Sequence, residues 1–534
     1  MESWIDGKIE KNGEYSRCST KISCSLDDNV NIYDFPLHKM IIMNLLNILS
    51  VDFSETLNSL IFFTLTSALL AVFMHKHRER IIEAYVIIGF LVTFFLSIRQ
   101  FFSVSSSGPV KIYASQYQLV SSQIFVDNLS IYVASIFVFI GLMASIFSVK
   151  YIEERKREYY PLLIAMVTGM VGVVFSGDFV TLFIFWEMMS LTAYVLVAFF
   201  YSRWEAVEAS FKYLIMSTAG TASILFGLSL LYGMAGTLSF TSLAEILRMP
   251  GFQNNAWTYL SIALLVTGFG VNAAMAPFHS WLPDAHPAAP SPISAMLSGV
   301  VIKTGVYAMY RTLTLIFPLT LYNWQIGLIL FAVATMIVGN TLAMLQNDIK
   351  RLLAFSSIAH IGYIVFALAI GTIAGLTGGL LHILNHASMK ALLFLSAGAL
   401  IHTVKTRDLD TLSGIGRKMP ITVTCLSIGA FSLAGVPGLN SFVSEFQIIT
   451  AAIDAKLYIY AAIMIFNVLL GAAYYLRVVQ ILFVRPPTDV SQKAVEASPI
   501  MLTPLIILSI LAVIIGVYPG PFVETVRNIA ETLL

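Results

Sequence analysis

Charge and cysteine are what this 534-residue chain has least of. Only 11% of its residues are Asp, Glu, Lys or Arg, against roughly 25% in soluble proteins. A soluble enzyme, a disordered chain and a coiled coil are excluded. The 31 basic and 30 acidic residues leave a net charge of +1, so no bulk field points to nucleic acid. Three cysteines cannot build a disulfide scaffold or hold a four-thiolate iron–sulfur cluster. A Walker A loop and a Rossmann strand–loop–helix are also missing, so no cofactor is assigned to the chain and any redox chemistry belongs to partners. What is present is apolar. Hydrophobic residues make up 57% and mean hydropathy is +0.82, enough for about fourteen membrane spans of roughly 20 residues. An all-α polytopic membrane protein follows, with its function in the few charges it carries into the bilayer.

The first 50 or so residues stand apart. Residues 1–55 are polar, hold Cys18 and Cys24, and lack the basic-then-apolar order of a signal peptide. They read as an unstructured extension, with Met40 or Met43 as alternative starts; Cys425 reads as packing. From Leu57 onward, fourteen apolar segments run at 57–74, 82–102, 127–149, 161–177, 179–200, 209–235, 256–276, 291–314, 325–345, 353–371, 374–401, 419–450, 456–484 and 500–518. Residues 110–126 alternate in character and predict a β-hairpin outside the lipid. Sixteen basic residues fall in one set of alternate loops, Lys150, Lys350 and Arg407 among them, and six in the other. The rich side is expected to be cytoplasmic, with both termini outside the plasma membrane.

An internal repeat is visible. Residues 209–220 align with residues 387–398 at six of twelve positions, each centred on a lysine, Lys212 and Lys390. The copies lie five spans apart, which fits two inverted five-helix repeats. The chain divides accordingly into peripheral helices (56–150), a first repeat of spans four to eight (151–315), a second of spans nine to thirteen (316–485), and a last helix with its tail (486–534).

A charge at the bilayer centre costs at least ~2.5–3.5 kcal/mol, so each one needs a reason. Glu187, Lys212, Lys303, His360, His382, His386, Lys390 and Glu445 fall inside predicted spans. Each taken singly could be a structural ion pair; Arg311 and Arg477, nearer span ends, read as snorkelling. Together, groups on six spans read as a hydrated proton relay. His382, His386 and Lys390 recur every four residues and so share one helix face. His382 and His386 lack an evident third ligand, so no metal is assigned. Burial loosens a lysine's proton and an approaching carboxylate tightens it, which makes a Lys–Glu pair of variable separation an electrostatic switch. Breakers interrupt the seventh span at residues 272–283, around Pro277, and the twelfth at Pro437 and Gly438. Such breaks expose carbonyls able to coordinate ions or water where they face protein.

At these residues the chain resembles a known family. Trp186-Glu187, Pro277-Phe-His279-Ser-Trp-Leu-Pro-Asp-Ala-His286, Pro290-Ser-Pro-Ile-Ser-Ala295, Asp348-Ile-Lys350-Arg351-Leu-Leu-Ala-Phe-Ser-Ser357 and His386-Ala-Ser-Met-Lys390-Ala-Leu-Leu-Phe-Leu are similar to the antiporter-type subunits of the complex I superfamily. That family includes the L, M and N subunits of NADH–quinone oxidoreductase, Mrp antiporter subunits, and hydrogenase proton-pumping subunits. The resemblance covers residues 55–520 and leans towards M-type and hydrogenase-type members.

It implies two half-channels joined by a polar axis. In them Glu187 is the inlet acid, Lys212 a nearby lysine and Lys303 the bridging base. His382, His386 and Lys390 form a relay, and Glu445 is the exit group. One position departs from the pattern. Asn272 stands where the family usually has a lysine, and asparagine does not titrate. The expected function is a proton-translocating subunit, or a sodium-coupled one, in a redox-driven complex with other membrane and hydrophilic subunits. The alternatives are an Mrp-type antiporter without a redox partner and a scaffold subunit that has lost pumping.

Overall fold

The computed structural model describes residues 79–113 and 123–534. The extension 1–55, with its two cysteines, and the first expected span at 57–74 lie outside the described residues. The helices are α1 (Glu79–Ser107), α2 (Asn128–Tyr151), α3 (Lys156–Phe175), α4 (Phe179–Val197), α5 (Trp204–Ala235), α6 (Phe240–Leu247), α7 (Ala256–Asn272) and α8 (Leu282–Ala288). They continue as α9 (Ser291–Ile316), α10 (Gln325–Met344), α11 (Ile349–Ile370), α12 (Ile373–Val404) and α13 (Pro420–Leu433). The last are α14 (Asn440–Asp454), α15 (Tyr458–Val484), α16 (Pro499–Val517) and α17 (Gly520–Glu531). Among the described residues, eleven helices are long and apolar enough to cross a membrane, and this is a multi-pass membrane protein. The expected hairpin is there: β1 (Val110–Tyr113) pairs antiparallel with β2 (Gln123–Val126), Val110 opposite Val126.

The two expected helix breaks are physical. α7 is short because the chain turns at Ala274, φ 54°, before Pro277. α13 ends before Gly435, φ 74°, and Gly438, φ 88°. Left-handed backbone suits glycine, which has no β-carbon to clash.

Repeat symmetry shows in the caps. Asp178 opens α4 by accepting from the Thr181 amide at 2.8 Å, and Asp348 opens α11 by accepting from the Lys350 amide at 2.8 Å. Each side chain satisfies an amide that the first turn leaves unpaired. Each aspartate also bridges to a residue just past one of the two 32-residue helices, Asp178 to Ser239 after α5 and Asp348 to Asp408 after α12.

Burial sorts the helices. α9 and α11 are enclosed along their apolar windows, whereas α1, α5 and α15 expose most of theirs. Lys303 and His360 lie on the two enclosed helices. Arg311 does not snorkel as the sequence suggested. It is 2% exposed, and its guanidinium donates through both terminal nitrogens to the Asp127 carboxylate at 2.6 Å each. Asp127 is the N-cap of α2, so the pair ties α2 to α9. Arg477, by contrast, reaches the carbonyls of Met344 and Gln346 at the end of α10, as a snorkelling end residue does.

Candidate functional site: a buried polar line through the second repeat

The second repeat brings its predicted residues together. Lys390 on α12 is fully buried, and its Nζ donates to the Leu353 carbonyl at 3.1 Å, to Ser356 Oγ, and to Tyr475 Oη at 3.2 Å. Its three partners are thus all neutral. Tyr475 Oη lies 3.5 Å from His360 Nε2, and His360 Nδ1 lies 3.0 Å from His382 Nε2. Glu445, 3% exposed, places Oε1 4.0 Å from His360 Nδ1. That separation is too long for a hydrogen bond. Glu445 Oε1 has no hydrogen-bond partner among the described residues. Its other oxygen faces the helix break: a β-carbon on Gly435 would sit 2.8 Å from Oε2. The carboxyl therefore has one oxygen towards the histidines and one towards the exposed backbone at Val436 and Gly438.

One arrangement of the ring protons satisfies these contacts together. Ser444 gives its one hydroxyl hydrogen to the Ser441 carbonyl at 2.9 Å and accepts from Asn385 at 3.0 Å. Its 2.9 Å contact with His382 Nδ1 then requires the proton on that nitrogen. His382 Nε2 is left as an acceptor, so His360 must donate from Nδ1, and His360 Nε2 accepts from Tyr475. Every donor from Lys390 to Ser444 points the same way.

His386 behaves differently. Helical spacing grouped it with His382, and the rings do stack at 6.0 Å between centroids, but both its nitrogens lack partners among the described residues. His382 instead meets His360, from the neighbouring helix. Two members of the site had no sequence signal. Tyr475 is one of 23 tyrosines, and Ser444 passes for an ordinary small polar residue of a helix; only the packing of α14 and α15 against α12 selects them.

The first repeat is looser. Lys303 is fully buried, and its ammonium donates to the Ser298 carbonyl inside a π-helical turn, Leu297–Val301. Such turns recur at functional sites. Ser298 Oγ meets Ser357 Oγ of α11 at 2.6 Å, which joins the repeats at this level. Glu187 Oε1 accepts from Thr221 at 2.9 Å.

Lys212 corrects an expectation. It does not pair with Glu187 and is not enclosed; it is half exposed and bonds Glu208 and Asp284 at 2.9 Å each. The reason is position: Lys212 lies only two turns into α5, level with α8, where Asp284 also receives Arg351 at 3.0 Å. Asn272 is 2% exposed, and neither end of its amide has a partner among the described residues.

A cavity of about 760 Å³ opens beside Arg203, Glu205, His402, Lys405 and Arg407. Lys350 lies at its wall, buried, donating to the carbonyls of Ala289 at 2.8 Å and His286 at 3.2 Å.

Three known proteins set this arrangement in context. The chain is 32% identical over 479 residues to the F(420)H(2) dehydrogenase subunit N of Methanosarcina mazei, covering 87% of this chain and 95% of that one. It is 29% identical over 492 residues to one of the Na(+)/H(+) antiporter subunits of Alkalihalophilus pseudofirmus, covering 86% of this chain but 60% of that one. In structure it superposes on a chain of the membrane-bound sulfane sulfur reductase, an archaeal respiratory membrane complex, with a TM-score of 0.82 and 29% identity, over 90% of this chain and 97% of that one. The redox relative is of the N type, a different member from the M type to which Glu445 leans. Residues 176–471, more than half of the chain, match the transmembrane family described as NADH:quinone oxidoreductase/Mrp antiporter. This chain belongs to that family of antiporter-like membrane subunits.

Proposed function

We propose that the chain is a proton-translocating subunit of a redox-driven membrane complex, with no cofactor of its own and its electron carriers on partner subunits. One observation carries this reading. The line Lys390–Tyr475–His360–Glu445 crosses the buried centre of the second repeat in contacts of 4.0 Å or less. It ends on a carboxyl that faces both the relay and a helix break. A lysine able to hold or release a proton, a hydroxyl, an imidazole and a carboxyl in that order are parts for proton passage. Lys303, with the two-serine contact behind it, supplies the connection from the first half-channel, and Glu187 is its inlet acid. Lys212 takes a supporting part: it steadies Asp284 at the boundary between the repeats. His386 stands over the His360 ring at 5.0 Å as a station reached through water. The ion is a proton, with sodium as the alternative.

Replacing Glu445 by Gln keeps the shape and removes the group that binds the departing proton. Proton uptake into proteoliposomes should fall about 100-fold, with the complex as abundant as before. A fully coupled Glu445→Gln complex would move Glu445 into the structural class.

The second reading, an Mrp-type cation/proton antiporter, draws on the likeness to the Na(+)/H(+) antiporter protein. The near end-to-end match with the dehydrogenase subunit favours the redox reading. Native purification separates the two. Co-purifying iron–sulfur subunits support a redox complex, and small hydrophobic subunits alone support the antiporter.

The basic loops orient the chain with both termini outside the plasma membrane. After Cys18 and Cys24 are replaced, an impermeant thiol reagent applied to whole cells should label Ser105→Cys and Asn528→Cys. It should miss Glu154→Cys and Asp410→Cys. All four positions are exposed, so the reverse pattern inverts the orientation.

A further inference from the structure

We infer that His360, His382 and Glu445 form a binding site for a single zinc-like divalent cation, set in the second-repeat proton line. One ligand atom from each of the three lies within 4.8 Å of the others, and all three residues are buried. His360 Nδ1 and His382 Nε2 are 3.0 Å apart, and Glu445 Oε1 is 4.0 Å from His360 Nδ1. In a tetrahedral zinc site with bonds of about 2.0–2.1 Å, neighbouring ligand atoms lie about 3.3 Å apart. The observed separations bracket that value, and side-chain turns that move these atoms by about 1 Å would reach it.

Three further features point to a ligand. Glu445 Oε1 is an acceptor without a partner among the described residues, at 3% exposure and aimed at the two rings. His382 is already held as a metal-ligating histidine usually is: its Nδ1–H is spent on Ser444, which Asn385 orients, so Nε2 presents a lone pair. The other Glu445 oxygen lies against Gly435, next in the chain to the exposed residues 436–438.

His360 becomes a ligand by moving its ring proton from Nδ1 to Nε2, where Tyr475 Oη can accept it. Glu445 binds as the carboxylate. Water completes the tetrahedron. Two histidines and one carboxylate are the donor set zinc takes in many open sites. The cation would replace the His360–His382 hydrogen bond, so its occupancy and proton passage along this line exclude one another. The assignment stands on geometry alone and does not depend on the transport reading.

The test is zinc binding to the full chain in its purified complex, with Cys18 and Cys24 replaced by Ser so that they cannot compete. Zn2+ alone is titrated against a chromophoric chelator, and the X-ray absorption spectrum of the loaded protein is recorded. One ion per chain is expected, with nitrogen and oxygen neighbours near ~2.0–2.1 Å, imidazole scattering and no sulfur. Ser444→Ala should weaken binding about 10–100-fold. His382→Gln and Glu445→Gln should weaken it further, and His386→Gln should leave it unchanged. Should His382→Gln not assemble, Glu445→Gln and Ser444→Ala carry the same decision. The proposal is overturned if no zinc binds, if sulfur appears among the neighbours, or if His386→Gln loses binding as His382→Gln does.

Discussion

Lys390→Met is expected to cut proton uptake by about 100-fold, within the range that a positioned proton-transfer group contributes, while the complex assembles in normal amount. Methionine keeps most of the lysine stem and removes the ammonium. Three acceptors then lose their donor: the Leu353 carbonyl, Ser356 Oγ and Tyr475 Oη. Each hydrogen bond to a charged group is worth about 1.5–3 kcal/mol. Against that loss stands relief from burying a charge among neutral partners, which costs several kcal/mol. The two effects oppose each other in stability. In transport they do not, because the proposed line starts at the ammonium. The measurement is initial proton uptake in proteoliposomes, normalised to assembled complex. Uptake within about threefold of wild type would place Lys390 among packing residues and move the relay elsewhere.

Arg311→Met should be the most destabilising single change at the rim of the bundle, by about 3–5 kcal/mol, because it leaves a buried carboxylate without its counter-charge. Arg311 also donates to Tyr307 Oη, which donates to the Val174 carbonyl at 2.6 Å, so the loss reaches α3 as well as α2. Burial alone would raise the Asp127 carboxyl, but the Arg311 guanidinium, together with hydrogen bonds from Arg311 and Ser130, holds it below the usual carboxylate range. A depressed folded value means the stabilisation is complete above the unfolded pKa of about 3.9 and is lost as pH falls through the lower folded value. The gap in melting temperature between wild type and Arg311→Met should therefore widen as pH rises above about 4, because burial without Arg311 raises the Asp127 carboxyl of the variant, and it should close below about pH 4. Equal melting temperatures at neutral pH would show that the pair contributes nothing.

Much of this architecture was legible because the bilayer makes sequence patterns unusually strict. Among the described residues the apolar segments matched the long helices to within about five residues, and Pro437 with Gly438 gave the second break. The alternating stretch at 110–126 gave the hairpin. Charged residues far from any loop singled out Lys303, Lys390 and Glu445, and the structure buries all three, with Lys390 and Glu445 in one cluster and Lys303 apart from it. Depth along a helix was less legible. Lys212 sits in an apolar run like Lys390, and its matching place in the repeat suggested a matching burial. The structure puts it beside Asp284 and Arg351, because what surrounds a position depends on where the neighbouring helices end. Helical spacing also joined His382 to His386. The partner that matters, His360, comes from α11, and contacts between helices leave no period in the sequence. Tyr475 and Ser444 were invisible for the same reason.

On the proposed line from Lys390 through Tyr475 and His360 to Glu445, the shared direction of the hydrogen bonds makes a turnstile. A proton that has hopped through leaves the hydroxyl and the imidazole each with its neighbour's hydrogen, and each donor then points backwards. A second proton cannot follow until the tyrosine hydroxyl and the His360 imidazole have been turned over. Packed as tightly as these rings are, at 5.0–6.0 Å between centroids, they turn only when a neighbouring helix makes room. Under the proposed function, a subunit that stays assembled while its partners are idle need not short-circuit the gradient: such a path admits one proton, then waits to be reset.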